Sequence, residues 1–256
     1  MISTGPAMAV GPAAPSYTCT GGQITDNDPS TATFIPIPSG TYSTLTVKGV
    51  CTVQPDAVIN VLGSINVGPG AWLDAQTAPS TITVGHNVNA ARGAFVGLGC
   101  QPDFSDRTGH PCMVEPDGSS NITVHGNITA INAGVFLLNG VTVKGNVTMI
   151  GGGNEGIPWS IKNNTICGNL VVAGQTTDWL GVLFNTVGKN VILLNITLND
   201  PGDPTPTMFI VRNTIGRNLI CAGLAPYVAG GFGTDVPNTV GGQALGQCAN
   251  LPILQF

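Results

Sequence analysis

A six-residue phrase that recurs seven times constrains the fold of this chain more than any other feature. It consists of Thr, an aliphatic residue, two variable residues, Asn (once Gln) and a final aliphatic residue. Counted between their Asn positions, and including looser copies centred on Val50 and Ser64, successive copies lie 14 to 40 residues apart. A period of about 20 residues, lengthened in some copies by extra residues, is typical of a repeat architecture whose insertions form loops. The seven clear copies begin at Thr83, Thr123, Thr142, Thr165, Thr186, Thr214 and Thr239.

The apolar residues of each copy indicate strands. Aliphatic residues lie one and three positions after the Asn, as Val147 and Met149 do after Asn146. A period of two is expected of a strand with one buried face, and β-branched residues favour strand over helix. With a further apolar segment between copies, each copy predicts a coil of three strands. Stacking such coils pairs equivalent strands in parallel and predicts an all-β fold, a right-handed parallel β-helix of about 9–10 coils with one long disulfide-closed loop.

The Asn of the phrase has a structural role in such a fold. Asn side chains at one corner of successive coils can bond to one another and to the turn backbone, forming a ladder along the axis. Leucine-rich repeats also have this period and an Asn ladder, but they place an apolar residue five before the Asn, where this chain has Asn164 and Asn185. We therefore favour the β-helix. The predicted ladder residues are Asn87, Asn127, Asn146, Asn169, Asn190 and Asn218.

Through its repeat length and Asn ladder, the chain resembles the right-handed parallel β-helix proteins of the pectin-lyase-like superfamily from about Cys19 to the C-terminus. Its Gly- and Asn-rich, cysteine-containing composition also resembles uncharacterised secreted β-helices of actinobacteria. The first resemblance implies cleavage of acidic polysaccharides. Resemblance to the pectate lyases of this superfamily would imply a cluster of Asp carboxylates that holds Ca²⁺, with a nearby Arg or Lys as the base.

The motifs of the related hydrolases are missing or altered in this chain. The resemblance to polygalacturonases implies Asn-Thr-Asp, Asp-Asp, Gly-His-Gly and Arg-Ile-Lys motifs. Here Asn-Thr is followed by Val187 or Ile215, and Gly85-His86-Asn87 only approximates the third motif. Asp-Asp and Arg-Ile-Lys do not occur in the sequence. Because hydrolysis by paired carboxylates needs two acids at a defined separation, no catalytic residue is expected.

Charge is sparse, and this excludes several kinds of partner. Charged residues make up 8% of the chain, and the net charge is −5. The eight Lys and Arg residues are scattered along the sequence and predict no basic stripe, so nucleic-acid binding is not expected. No stretch approaches the ~18 apolar residues of a membrane span. With three His residues, no metal cluster is expected.

The seven cysteines suggest an oxidising compartment. Their spacing suggests three disulfides and leaves Cys167 over, with buried thiols as the alternative. Ala7-Met8-Ala9 is the type of site that signal peptidase cuts. We therefore expect a protein that is secreted or held at the cell surface. The suggested disulfides are Cys19 with Cys51, Cys100 with Cys112, and Cys221 with Cys248.

The domain organisation is expected to be simple. Residues 1–16 are interpreted as a disordered leader or signal-peptide remnant, and residues 17–256 as a single β-helix domain. The strand edges at both ends of a β-helix must be covered to avoid polymerisation. Residues 17–40 are predicted to cap one end and 249–256 the other. If that apolar tail met a neighbouring molecule instead, the protein would be a homo-oligomer or a fibre subunit.

Acidic residues and tryptophans form the candidate ligand site. The acids lie nine or ten positions after the Asn place of their copies, and the tryptophans lie within a few residues of the same register. Stacked coils would place them in one column, where carboxylates beside Trp faces would suit a sugar or Ca²⁺. The alternative is that they mark a solvent-facing corner. The acids are Asp74, Glu155, Asp178 and Asp200, and the tryptophans are Trp72, Trp159 and Trp179.

A second group of titratable residues lies in the longest excursion between copies, residues 93–120. Loops fixed to a rigid scaffold often carry sites, although an exposed polar loop needs no function. The residues concerned are Asp103, Asp106, Arg107, His110, Glu115 and Asp117.

Together these features favour a secreted, non-catalytic binding or structural module. It would bind a polysaccharide or another cell-surface component along one flank, or self-assemble through its ends, and it would need no cofactor. The first alternative is a Ca²⁺-dependent polysaccharide lyase. The second is an ice-binding protein, which would need a regular array of Thr-x-Thr; the Thr column supplies this motif at Thr81-Ile82-Thr83.

Overall fold

A computed structural model of the chain describes residues 13–25, 28–104, 108–153, 156–157, 159–233 and 236–255. Three parallel sheets run along the molecule, and each coil passes through sheets 1, 2 and 3 in turn. In the described residues, sheet 1 stacks ten strands and sheets 2 and 3 stack nine each. The predicted parallel β-helix of 9–10 coils is therefore confirmed.

Each sheet takes one strand from every coil. Sheet 1 consists of Tyr17–Cys19, Leu45–Val47, Ile65–Val67, Val88–Ala90, Ile128–Ile131, Val147–Ile150, Leu170–Ala173, Val191–Leu198, Leu219–Ala225 and Ala244–Gly246, with Thr176–Thr177 paired beside Val191–Leu198. Sheet 2 consists of Ile35–Ile37, Val50–Val53, Trp72–Ala75, Phe95–Leu98, Val135–Asn139, Trp159–Lys162, Leu180–Leu183, Thr207–Val211 and Tyr227–Ala229. Sheet 3 consists of Gly40–Tyr42, Ala57–Val61, Ser80–Val84, Asn121–Val124, Val141–Val143, Thr165–Ile166, Thr186–Val187, Thr214–Ile215 and Thr239–Val240.

The remaining elements lie near the two ends. Gln23–Thr25 and Asp28–Thr33 form an antiparallel hairpin between the first strands of sheets 1 and 2. At the other end, a 3₁₀ helix spans Gln247–Asn250, and Ile253–Leu254 pairs in parallel with Gly231–Phe232. Within the described residues, no helix is long and apolar enough to cross a membrane.

Alternation along each strand fills the interior with aliphatic side chains. In the strand Ser80–Val84, Ile82 and Val84 are buried, whereas Thr81 and Thr83 point outward. Strand pairing places Val84 beside Val124 of the next coil, so equivalent residues stack at the ~4.8 Å strand spacing. One continuous apolar core therefore runs from Cys19 to Cys248.

Two of the three corners of the coil are made by residues with positive φ. Such backbone suits Gly and is tolerated by Asn, but it is unusual for Phe184 and Arg212, which have φ of 58° and 48°. Where the chain turns from sheet 1 toward sheet 2 they include Gly70, Gly93, Asn132, Gly151 and Gly174, and Asn195 and Gly223 at the equivalent bends inside two longer strands. At the corner from sheet 2 to sheet 3 they include Asp56, Gly99, Gly140, Asn163, Phe184 and Arg212.

The third corner, from sheet 3 to sheet 1, is the repeated phrase itself. From the coil with Leu62 onward, three residues always separate the two strands. One of the two variable residues is always Gly, because a Cβ there would come within 2.2–2.6 Å of a carbonyl oxygen of the preceding coil. These glycines are Gly85, Gly126, Gly145, Gly168, Gly188, Gly216 and Gly241.

The structure has the predicted Asn ladder at this third corner. Each Asn donates its backbone N–H to Oδ1 of the Asn one coil earlier, at 2.8–3.1 Å. Ser64 accepts from the first Asn, and Gln243 donates to the last. The side chains are exposed or half-buried, and we call this column the exposed Asn ladder. Its members are Asn87, Asn127, Asn146, Asn169, Asn190 and Asn218.

A second ladder, which the sequence analysis did not predict, lies beneath the corner from sheet 2 to sheet 3. Its first three side chains are at most 2% exposed. Asn164 and Asn185 each donate both the backbone N–H and Nδ2 to Oδ1 of the Asn one coil later, at 2.9–3.0 Å. Each Nδ2 also donates to a strand carbonyl, such as that of Ile161. This buried Asn ladder consists of Asn164, Asn185, Asn213 and Asn238.

The structure contains the three suggested disulfides, Cys19–Cys51, Cys100–Cys112 and Cys221–Cys248. The first joins sheet 1 to sheet 2 inside the N-terminal coils. The second closes the long loop, and the third ties the 3₁₀ helix to the last coils. Cys167 is a free, exposed thiol.

The ends of the rod contain the segments proposed as caps. The segment 17–40 supplies the first strands of sheets 1 and 2 as well as the hairpin. Ahead of it, Pro15 accepts a hydrogen bond from the backbone N–H of Ser43. The segment 249–255 supplies the end of the 3₁₀ helix and the strand Ile253–Leu254. Residues 1–12 and Phe256 lie outside the described residues.

Candidate ligand-binding flank

The insertions of the repeat all open beside sheet 2. Every long segment leads either from sheet 1 into sheet 2 or from sheet 2 into sheet 3. The corner from sheet 3 to sheet 1, by contrast, keeps its length of three residues. Since loops on a rigid scaffold are where binding residues concentrate, the outer face of sheet 2 is the candidate site. The segments concerned are 20–34, 99–120, 151–158, 199–206 and 230–238.

A groove of about 760 Å³ crosses the N-terminal half of this flank. Its walls are Phe34 beside the hairpin and Met113 and Val114 of the long loop, and its floor includes Asp74 of sheet 2. Met113 is 82% exposed and Val114 is 56% exposed, which is a large apolar exposure for a polar loop. The volume falls within the ~300–1,000 Å³ of ordinary ligand sites, which are also mostly apolar with a few polar groups.

Asp74 is held by the backbone rather than left free for a ligand. Its Oδ1 accepts the N–H groups of Gln76 and Thr77 at 3.1 Å, and its Oδ2 accepts the hydroxyl of Thr52 at 3.3 Å. The side chain is 5% exposed. Asp74 therefore fixes the turn after its strand, and the unused acceptor nearby is Gln76 Oε1, which has no partner among the described residues.

Trp72 and Phe95 form the aromatic floor next to this groove. Their rings stack with centroids 4.3 Å apart and an interplanar angle of 7°. Both are 7% exposed, because residues of the hairpin and Ile157 pack over them. A small cavity of about 210 Å³ leaves part of this floor open between Phe34 and Met113.

A second aromatic group lies on the C-terminal half of the same flank. The Trp179 ring lies over Gly181, where a Cβ would come within 2.3 Å of it. Trp179 contacts Phe209 with centroids 6.3 Å apart, and Phe209 contacts Phe232 at 4.3 Å. Trp179 is half-buried and Phe232 is 42% exposed, so this group presents aromatic surface to solvent.

Asp178 lies beside this second aromatic group. Its Oδ2 accepts the backbone N–H of Gly156 from the segment 151–158. Its Oδ1 is buried and has no hydrogen-bond partner among the described residues. This oxygen is shielded from solvent, so Asp178 contributes a polar group beneath the aromatic group rather than an open contact.

The predicted column of acids and tryptophans is not formed. Trp159 is fully buried in the core, paired with Leu180, and its Nε1 donates to the carbonyl of Gly134. Asp200 caps its own exposed turn by accepting the N–H of Gly202 at 2.7 Å. Asp74 and Asp178 belong to coils four strand spacings apart, or ~19 Å along the axis. Glu155 lies outside the described residues.

This failure has a simple geometric cause. The candidate residues share a number of positions after the Asn, and this count passes through the corner from sheet 1 to sheet 2. Because the length of that corner varies between coils, residues with the same count lie at different positions in the coil. Trp72 faces outward beside Phe95, whereas Trp159 faces inward, because a shift of one residue in a strand changes the face. The structure therefore brings two of the proposed residues, Asp178 and Trp179, to one exposed place.

The long loop docks against the corner from sheet 2 to sheet 3. Asn163 Nδ2 donates to the side chain of Gln101 and to the carbonyl of Thr108, and Lys162 Nζ donates to the carbonyl of Gly109. Burial, and to a lesser extent the charge of Lys162, lowers the pKa of His110 below its usual value. His110 is therefore a neutral packing residue of the loop at pH 7.

The other titratable residues of this loop do not form a cluster. Asp103 accepts the N–H of Gly109 at 3.1 Å and so closes a local turn. Glu115 and Asp117 lie at a separate exposed turn, and Asp106 and Arg107 lie outside the described residues. Within the part of the chain that the structure describes, no group of three or more His, Cys, Asp or Glu side chains could hold a metal ion.

Comparison with known proteins gives no match for this chain: no family model, no curated protein and no solved structure matches it.

Proposed function

We propose that the protein is a non-catalytic carbohydrate-binding module whose ligand lies along the outer face of sheet 2. The observation that carries this proposal is that every insertion of an otherwise regular repeat borders this one face. Beside these loops lie a groove of about 760 Å³ and an exposed aromatic group. The expected ligand is a glycan chain rather than a single sugar, because the two sites lie several coils apart.

Carbohydrate fits the chemistry of this flank. Apolar faces of sugar rings pack on aromatic rings, and Trp179, Phe209 and Phe232 offer such rings at the surface. Sugar hydroxyls need hydrogen-bonding partners, and the half-buried polar residues Asp178 and Gln76 lie beside the aromatic group and the small cavity.

The spacing of the carboxylates supports binding without catalysis. Glycosidases hold two carboxyl groups roughly 5–9.5 Å apart across the bond that they cleave. Asp74 and Asp178 are separated by ~19 Å along the rod, and Asp74 is already saturated by three donors. A pair that could act on one glycosidic bond is therefore not formed by these two residues.

The test is calorimetric titration with cello-, chito-, xylo- and galacturono-hexasaccharides. We expect binding to at least one of them, weakened roughly tenfold by Trp179→Ala, since removing one aromatic stacking face costs about 1.4 kcal/mol. The matched control is Val58→Ala, an exposed apolar residue of sheet 3. Absence of binding to all four sugars, or equal loss in both variants, would contradict the proposal.

The same samples separate binding from lyase activity. Incubation with polygalacturonate, with and without Ca²⁺, is followed by the absorbance of unsaturated products. We expect no turnover in either case. Turnover that a chelator abolishes would make the protein a Ca²⁺-dependent lyase and would overturn the non-catalytic assignment.

A second candidate, ice binding, is favoured by the Thr column on the outer face of sheet 3. Eight threonines and Asn60 occupy the same register position on the nine strands of sheet 3, at the ~4.8 Å strand spacing. The measurement is thermal hysteresis and ice-crystal shaping by the wild-type protein, with Thr186→Asn as the interrupting variant. Absence of both effects would exclude this candidate. The threonines are Thr41, Thr83, Thr123, Thr142, Thr165, Thr186, Thr214 and Thr239.

A further inference from the structure

The outer face of sheet 1 differs from the glycan flank in having no charged residue in its strands. None of its ten strands contains Asp, Glu, Lys or Arg. In the first six strands the outward column is polar, with members such as Thr129 and Thr148. In the last four strands the same column becomes aliphatic, because Thr148 is followed in register by Val171, Ile192, Ile220 and Leu245.

A second aliphatic column lies two residues further along the chain, on the five strands from Ile128–Ile131 to Leu219–Ala225. Ile131 and Ile150 begin this column, and they are 44% and 45% exposed. The two columns together form a flat apolar patch, which we call the sheet 1 patch. The fold does not require the first column to be aliphatic, since Thr and Asn occupy its positions in the earlier coils. The sheet 1 patch consists of Val171, Ile192, Ile220, Leu245, Ile131, Ile150, Ala173, Leu194 and Ala222.

Cations border this face on both edges. In the corner from sheet 3 to sheet 1, the variable residue that is not Gly is Lys144, Lys189 or Arg217 in three coils. On the opposite edge, Lys48 and Arg92 follow their strands of sheet 1. All five are exposed, and they are five of the eight Lys and Arg residues in the chain. Although the basic residues are scattered along the sequence, coiling brings these five to the edges of one face.

The cationic edge is not a requirement of the fold either. The corner needs one Gly, but its other variable position tolerates Cys167 and Gly242. Lys189 and Arg217 lie in adjacent coils, where the Arg217 N–H donates to the carbonyl of Lys189, and like charges in adjacent strands are destabilising. No Asp or Glu lies in this corner in any coil from Leu62 to Gln243. In a protein of net charge −5, the edge from sheet 3 to sheet 1 thus carries only positive charge, whereas the opposite edge also carries Asp178, Asp200 and Asp203.

We propose that the sheet 1 patch and its cationic border dock the protein flat on an anionic phospholipid membrane. Aliphatic side chains that enter the headgroup region, together with Lys and Arg near the lipid phosphates, are the two attractions that hold peripheral proteins on such surfaces. A soluble polyanion would use the cations and leave the sheet 1 patch exposed. A second copy would supply no acidic residue from its own sheet 1 strands to meet the cations. This surface is separate from the proposed glycan flank on sheet 2.

The test is sedimentation with vesicles of phosphatidylglycerol and phosphatidylcholine in equal amounts, compared with phosphatidylcholine alone. We expect binding to the anionic vesicles at low salt and at least tenfold weaker binding to the neutral ones. Each cation near an anionic surface changes the binding constant by roughly fivefold, so K144Q/K189Q/R217Q is expected to weaken binding by roughly 100-fold.

The apolar contribution is tested separately. Ile192→Thr with Ile220→Thr keeps β-branched residues in a column where Thr148 already occurs, so the fold is expected to persist. We expect a several-fold loss of binding to anionic vesicles. The control Val58→Thr makes the same kind of change on sheet 3, at a residue that is 59% exposed, and is expected to have no effect.

Three results would overturn the proposal. One is the absence of binding to anionic vesicles, and another is binding that neither set of substitutions weakens. The third is a wild-type dimer in lipid-free solution that the Ile192→Thr and Ile220→Thr substitutions convert to a monomer, because the sheet 1 patch would then be a homodimer interface. Light scattering measures this last outcome. Loss of vesicle binding with intact hexasaccharide binding separates this proposal from the glycan flank.

Discussion

The two Asn ladders are built from the same residue at the same spacing, yet they contribute differently to the stability of the fold. The exposed ladder runs along the corner from sheet 3 to sheet 1, and Asn146 in it donates toward the N-terminal coil. The buried ladder runs beneath the corner from sheet 2 to sheet 3, and Asn185 in it donates toward the C-terminal coil. The exposed Asn residues can replace a lost bond with water, whereas the buried ones cannot.

Burial therefore decides which ladder stabilises the fold. An unpaired polar group in the interior costs its full desolvation penalty, whereas an exposed one costs little. The buried ladder also underlies the corner where the loops of sheet 2 dock, through Lys162 and Asn163. It thus holds the scaffold of the proposed glycan site, while the exposed ladder keeps the opposite corner regular.

The largest effect is expected for Asn185→Ala. The change leaves the Asn164 N–H and one hydrogen of its Nδ2 without an acceptor in the interior, and it removes a donor to the carbonyl of Ile161. At roughly 1–3 kcal/mol for each unsatisfied group, offset by partial relaxation, the free energy of unfolding should fall by about 4 kcal/mol. Guanidinium denaturation followed by circular dichroism measures this change. A loss below about 1 kcal/mol would mean that the buried ladder is not structurally important.

A smaller loss is expected for Gly145→Ala at the exposed corner. A Cβ there would come within 2.5 Å of both the Gly126 carbonyl and Asn127 Oδ1. The corner must shift, and overpacking of this kind costs about 2 kcal/mol. Lys144→Ala is the matched control, since it changes the adjacent exposed residue and should alter stability by less than about 0.5 kcal/mol. Equal effects of the two substitutions would refute the steric role assigned to Gly.

Asn146→Ala should lower the free energy of unfolding by less than Asn185→Ala or Gly145→Ala. It removes one acceptor of the Asn169 N–H and one donor to Asn127, all within reach of water. The expected loss is about 1 kcal/mol, the net value of an ordinary hydrogen bond. The same denaturation experiment measures it. A loss as large as that of Asn185→Ala would break the distinction between the two ladders.

The smallest effect is expected from His110, which lies in the loop that docks on the buried corner. Because its pKa is lowered in the folded state, its contribution to stability is fully present above the unfolded pKa of about 6.5 and is lost as the pH falls through the folded value. The difference in melting temperature between wild type and His110→Gln should therefore shrink from pH 8 to pH 5. A difference that grows on acidification would contradict the assigned direction.

The sequence predicted the regular parts of the molecule and missed what depends on burial. The phrase fixes the register of sheet 3 and of the exposed ladder, because three residues always separate the two strands at that corner. The buried Asn residues were visible as Asn-Thr pairs, such as Asn185-Thr186. The periodicity of the sequence cannot distinguish a buried polar residue from an exposed one, so these pairs did not predict a second ladder.

The candidate site was only partly predictable for a related reason. Asp178 and Trp179 lie together on the flank, whereas Trp159 is in the core and Asp200 caps an exposed turn. Their relative placement depends on the lengths of the segments between sheets 1 and 2, which differ from coil to coil. The cationic border of sheet 1 was missed because the Lys and Arg residues are distant in the sequence.

Amide hydrogen exchange in the wild-type protein compares the two ladders directly, because both use backbone N–H donors. We expect the N–H groups of Asn164, Asn185 and Asn213 to exchange only through global unfolding. Those of Asn127, Asn146 and Asn169 should exchange through local opening, faster by orders of magnitude. Equal protection of the two sets, or stronger protection of the exposed ladder, would contradict the claim that burial sets the stability of this scaffold.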